Sequence, residues 1–92
     1  MTDYAKKLRD LIVTYLRHET DHEQFDRRYY DLFLNRPAGA ELSRDEEVFF
    51  SDVHEKLDLT HQEPSSQERK DGWIDQKQFR EWLETSLPSS GV

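Results

Sequence analysis

Apolar residues recur at three- and four-residue steps along most of this chain. From Asp3 to Arg17, Tyr4, Leu8, Leu11, Ile12, Tyr15 and Leu16 share one side of a predicted helix. A second stripe, Phe25, Tyr29, Leu32 and Phe33, predicts a helix over residues 21–34, with Asp26, Arg27, Arg28 and Asp31 facing water. A third, Phe49, Phe50, Val53 and Leu57, predicts a helix over 44–58. Projected at about 100° per residue, that helix turns Glu47, Ser51, His54 and Asp58 away from the core, with Asp52 and Glu55 flanking the apolar side. Phe79, Trp82, Leu83 and Leu87 mark a last helix over 76–87. Pro88-Ser89-Ser90-Gly91 then predicts a stop and a flexible tail over 89–92. No segment of useful length alternates with period two.

The punctuation between stripes agrees with this division. Thr20 with Glu23, Ser43 with Glu46 and Asp75 with Gln78 have the spacing of capping boxes, in which the cap side chain and the third helical side chain bond each other's backbone N–H. Ile74, just before the last cap, is placed to staple onto Phe79. Pro37 and Gly39 break the chain between the second and third stripes. Thr60 to Gly72 has no periodicity and holds Pro64-Ser65-Ser66, which predicts a polar loop. Each stripe is too narrow to be buried except against the others. The expected fold is all-α, a compact antiparallel four-helix bundle forming one domain over residues 1–88.

Composition leaves that core thin but sufficient. Leu, Ile, Val and Phe number twenty-one among 92 residues, little above the proportion at which high charge means disorder. Two Trp, four Tyr and five Phe supply the large apolar areas that compensate. The absence of cysteine excludes disulfides and thiolate metal sites and fits a reducing compartment. The start, Met1-Thr2-Asp3, lacks the basic-then-apolar pattern of a signal peptide, and no apolar run is long enough to span a bilayer, so a cytoplasmic location away from membranes is expected.

Charge is where the chain becomes uneven. Residues 41–75 hold eleven carboxylates against four cations, a net of −7, while residues 1–40 carry seven of each sign and residues 76–92 two of each. The whole formal charge of −7 sits in that one segment. A charged helix face is ordinarily just wet surface, but acidity so confined is a field with a direction. A basic partner is its natural receiver, and nucleic acid is excluded because phosphate binding requires lysine and arginine. Trp73, in a loop with Asp71 and Asp75, is either a lid on the core or an interface anchor, and Tyr30 borders its helix's stripe.

Two patterns suggest metal chemistry without sustaining it. His18-Glu19-Thr20-Asp21-His22 has the H-E-x-x-H spacing of zinc proteases, but that motif requires one continuous helix and Thr20 is the expected cap between two. Asp71-Gly72-Trp73-Ile74-Asp75 is similar to half of a calcium-binding EF-hand loop. The alignment, however, puts Gln67, Arg69 and Gln78 where ligands are needed. No nucleophile pattern, glycine-rich phosphate loop or cofactor motif is present. A binding protein, not an enzyme, is expected.

The opening Tyr4-to-Leu16 helix, Glu23-Gln24-Phe25 with Tyr29-Tyr30-Asp31-Leu32-Phe33, Leu42-Ser43-Arg44-Asp45-Glu46-Glu47-Val48-Phe49-Phe50, and Ile74-Asp75 running into Phe79-Trp82-Leu83 together resemble the colicin D-type immunity proteins. The resemblance covers nearly the whole chain through helix order and apolar spacing. It implies a four-helix bundle that neutralises a basic tRNase toxin by laying carboxylates where RNA phosphates would go. Carried over, Asp52, Glu55 and Asp58 on the third helix, then Glu63, Glu68 and Asp71 beyond it, with Trp73 beside them, would contact the toxin. The free protein is expected to be a monomer or weak dimer. The alternative is an acidic interaction module or nucleic-acid mimic that binds some other basic protein.

Overall fold

Every helix of this protein begins at a side chain that caps it. The computed structural model describes residues 2–92. Among them are helices α1 (Asp3–Leu16), α2 (His22–Leu34), α3 (Arg44–Asp58), α4 (Ser66–Lys70) and α5 (Gln76–Ser89). Thr2 caps α1, and reciprocal capping boxes open the other four: Asp21 with Gln24, Ser43 with Glu46, Ser65 with Glu68 and Asp75 with Gln78. Each such cap stabilises its helix by about 1 kcal/mol, useful where the apolar stripes are narrow.

The long helices stand at the corners of a square. α1 lies against α2 and α5, and α3 lies against the same two from the opposite corner. Cross-helix contacts give the directions. On α2, Tyr30 meets Asp58, Phe33 meets His54, and Arg36 just beyond the helix meets Glu47, so α2 and α3 run antiparallel. The expected all-α bundle is therefore present, but with five helices among the described residues instead of four, α4 being added to the connection between α3 and α5. Tyr15, Phe25, Tyr29, Phe50 and Phe79 are fully buried at its centre with Leu8, Ile12, Val53 and Leu83. Tyr15 stacks on Phe25 with ring centroids 4.6 Å apart. Tyr29 donates its hydroxyl to the Phe50 carbonyl at 2.7 Å, which satisfies a buried polar group and ties α2 to α3. Burial pushes that phenol well above its ordinary range.

Several local expectations are corrected. The second helix is capped by Asp21 and Gln24 instead of Thr20 and Glu23, because the turn after α1 runs one residue longer. His18 adopts a left-handed φ of 61°, and the N–H groups of His18 and Glu19 close back on the carbonyls of Tyr15 and Thr14. Thr20 Oγ1 is left buried without a partner. Asp26, expected to face water, is half-buried on the inner side of α2.

The connection over 60–72 is not structureless. Ser65 and Glu68 have the capping-box spacing and open α4, while Pro64 before them is buried. α4 ends with Gly72 at φ 103°, its N–H bonded to the Arg69 carbonyl and that of Trp73 to the Glu68 carbonyl. This Schellman closure requires a left-handed residue, and it accounts for the Asp71-Gly72 pair that resembled a calcium loop. A parallel bridge between Thr60 and Ile74 then joins the end of α3 to the start of α5. Finally, α5 runs through Pro88 to Ser89, with Ser89 and Ser90 hydroxyls donating to the Thr85 and Leu87 carbonyls, and Val92 packs partly against the core. Among the described residues no helix is long and apolar enough to cross a membrane.

Candidate functional site

Because α3 occupies a corner, only its inner side is covered. Phe49, Phe50, Val53 and Leu57 are buried, and Arg44, Asp45, Val48, Ser51, Asp52, Glu55 and Asp58 are exposed. Steps of three and four residues bring these onto one outward stripe with four carboxylates, one cation and an apolar residue in its middle. Asp45, Asp52 and Glu55 enter no ion pair among the described residues. Their charge is directed at solvent.

The other acidic residues of the segment are partly occupied. Glu46 is buried by its own capping box, accepting from the Ser43 N–H at 2.7 Å. Glu47, predicted to face away from the core, is half-buried and paired with Arg36 at 2.6 Å. Asp75 is held by Arg69 at 3.1 Å. Its carboxyl lies below the usual range, first because it accepts the Gln78 backbone N–H and then because of Arg69.

Of the residues expected to meet a partner, Asp52 and Glu55 are free on the α3 stripe. Asp58 is exposed but accepts the Tyr30 hydroxyl, and His54 Nδ1 stands 4.0 Å from it. His54 itself corrects the expectation of an outward ring. It is half-buried between Tyr30 and Phe33, with both ring centroids 5.0 Å away. Glu63 is exposed before α4. Glu68 accepts from the Ser65 N–H at 2.9 Å, and that bond holds its carboxyl below the usual range. Asp71 is the exposed C-cap of α4. Trp73 is half-buried with its ring edge-on to His61, centroids 6.0 Å apart, outside the main core cluster. Asp52, Glu55 and Asp58 thus form one surface along α3, and Glu63, Glu68, Asp71 and Trp73 a second group in the connection that leaves it.

Two features escaped the sequence reading. Val48 is 55% exposed amid the carboxylates, and its place off the apolar stripe was the available signal. Trp82, expected on the buried stripe of the last helix, is only partly buried and lines a groove between α3 and α5. A separate group of polar side chains lies on α1 and α2. His22 Nδ1 and the Tyr15 hydroxyl are hydrogen-bonded at 3.1 Å, and Asp26 Oδ1 is buried without a partner. Burial lowers the His22 pKa, opposed by Asp26, and raises that of Asp26, opposed by His22. His18 and His22 belong to different elements, with His18 beyond the end of α1, so the H-E-x-x-H spacing does not place two ligands on one helix face.

What the surface offers chemically is an ordered row of carboxylate hydrogen-bond acceptors, set along one helix. Comparison with protein-family models, with curated proteins and with solved structures gives no match.

Proposed function

We propose that this protein is an immunity-type inhibitor that binds a basic tRNase toxin domain and covers its active cleft with the acidic outer face of α3. The observation that carries this reading is the row Asp45, Asp52 and Glu55, exposed and without internal cations, in the segment 41–75 that holds the whole net charge of −7 while the residues on either side of it balance. Carboxylates spaced by one or two helical turns suit a groove built to hold phosphates in a row, and each accepts charge-assisted bonds from lysine or arginine. The complementary fields would also speed encounter, which suits an inhibitor that must act before its target does.

The test is co-expression with a panel of tRNase toxin domains, scored by growth. Protection is expected against one of them, and it should be lost when Asp52, Glu55 and Asp58 are all changed to Lys while helical circular dichroism is retained. Protection that survives this charge reversal removes α3 from the contact. Failure to protect against any domain that the panel contains, together with capture of a different basic protein, favours an interaction module of another kind.

A further inference from the structure

The outer stripe of α3 does not end at solvent on its α5 side. It borders a groove of about 320 Å³ whose floor is Phe49 and Trp82, whose α3 rim is Asp45, Val48 and Asp52, and whose opposite wall includes Ser86. Phe49 is almost wholly buried and packs against Trp82, with centroids 6.4 Å apart and planes 18° apart, and Phe79 packs on Trp82 as well at 6.2 Å, so aromatic rings back the groove. Asp45 and Asp52 are seven residues apart on one helix, about two turns, and Val48 lies between them. Arg44 also lines the groove, leaving its lining with one net negative charge. The volume is at the lower end of ligand pockets and suits one long side chain better than a whole small molecule.

An apolar floor beneath a carboxylate rim selects a side chain with an aliphatic stem and a cationic head. The chain's own Lys56 already holds its ammonium 5.8 Å from the Trp82 ring centroid, so an incoming cationic head is directed to the rim carboxylates and not to the ring face that Lys56 occupies. A planar guanidinium adds what an ammonium lacks, forked donation to a carboxylate at the rim. We infer that the α3–α5 groove is the seat for a single arginine side chain of the partner protein, its stem against Val48, Phe49 and Trp82 and its guanidinium on Asp45 or Asp52. This rests on the reading of α3 as a partner-binding face and adds to it an anchor residue of stated chemistry. An aromatic and an arginine meeting in a partly desolvated pocket is the usual composition of an interface hot spot, and the carboxylates farther along α3 would then act chiefly in encounter and register.

The experiment needs no toxin. The peptide acetyl-Leu-Arg-Leu-amide is titrated into the ¹⁵N-labelled full chain and followed at the Val48 and Asp52 amides and the Trp82 indole N–H. A second peptide carries citrulline, which keeps the shape of arginine without its charge. Saturable shifts confined to the groove are expected, with the citrulline peptide about tenfold weaker. The same weakening should appear for the arginine peptide against the Asp45→Asn/Asp52→Asn double variant, whose amide dispersion serves as the check on folding. Absence of saturable shifts, shifts centred elsewhere, or equal binding of the two peptides overturns the inference. The two proposals also fail separately. A toxin that is neutralised without moving the groove resonances removes the arginine seat alone, while peptide binding with no protective effect in any co-expression removes the tRNase reading alone.

Discussion

Neutralising Asp52 and Glu55 together, as Asn and Gln, isolates the electrostatic contribution of α3 from its shape. Both side chains are exposed in the middle of the helix and neither enters an ion pair, so the change removes no internal contact. They stand three residues apart, and relieving their mutual repulsion favours the helix by about 0.2–0.5 kcal/mol, so folding stability should be unchanged or slightly raised. Binding should respond differently. A carboxylate about 4 Å from a partner cation in water-like surroundings contributes about 1 kcal/mol, so two contribute about 2 kcal/mol, or about thirtyfold in Kd. Most of the loss should appear in the association rate at low salt and largely vanish at about 1 M, where charges are screened beyond about 3 Å. The assay is stopped-flow association with the tRNase domain identified by protection, run at low and high salt beside a urea melt. An affinity within about twofold of the parent at low salt, with the fold intact, would show that this stretch of α3 does not face the partner.

Three further outcomes follow from the packing. His18→Gly should raise stability by about 0.5–1 kcal/mol, since φ 61° strains a residue with a Cβ, and an unchanged or lower thermal midpoint would contradict the helix closure described here. Tyr29→Phe should cost about 1–2 kcal/mol in chemical denaturation, because it removes a fully buried bond and leaves the hydroxyl's space empty. Asp26→Asn should stabilise the protein at neutral pH. Its folded carboxyl pKa is raised above the ordinary 3.8, so the native state binds the proton more readily than the unfolded chain and the ionised parent is penalised. That advantage should shrink as pH falls through the raised value. Meanwhile His22, whose folded pKa is depressed, should make both proteins lose stability as pH drops below about 6.5. Denaturation midpoints from pH 7 to 4 check both signs, and a gap between the proteins that widens on acidification would be the contrary result.

Helix existence was legible in the sequence because burial and periodicity agree there. Phe49, Phe50, Val53 and Leu57 mark α3 unambiguously, and its own cap, Ser43 with Glu46, and that of α5, Asp75 with Gln78, form as spaced. Short-range chemistry was less legible. Thr20 and Asp21 are both competent caps, and only the extra residue in the turn at His18 decides for Asp21. α4 has too few residues for a hydrophobic stripe, so the Ser65 and Glu68 pair was its sole advance signal. Lateral position was the least accessible. Helical projection puts His54 and Asp58 on the side away from the core of α3, but it cannot see α2 arriving there with Tyr30 and Phe33. For the same reason it treats Trp82 as core, although the space between α3 and α5 leaves its edge open.

The hydroxyl that joins Tyr29 to the Phe50 carbonyl has a consequence for recognition as well as for stability. Sliding α3 along α2 by one turn would strand a buried donor, so that bond favours one register and holds the outer carboxylates at one position relative to the rest of the molecule before any encounter. A partner that docked on α3 would therefore meet a surface already arranged, with less conformational freedom to surrender on contact. Removing that hydroxyl should make complex formation entropically less favourable even though the residue never reaches the interface.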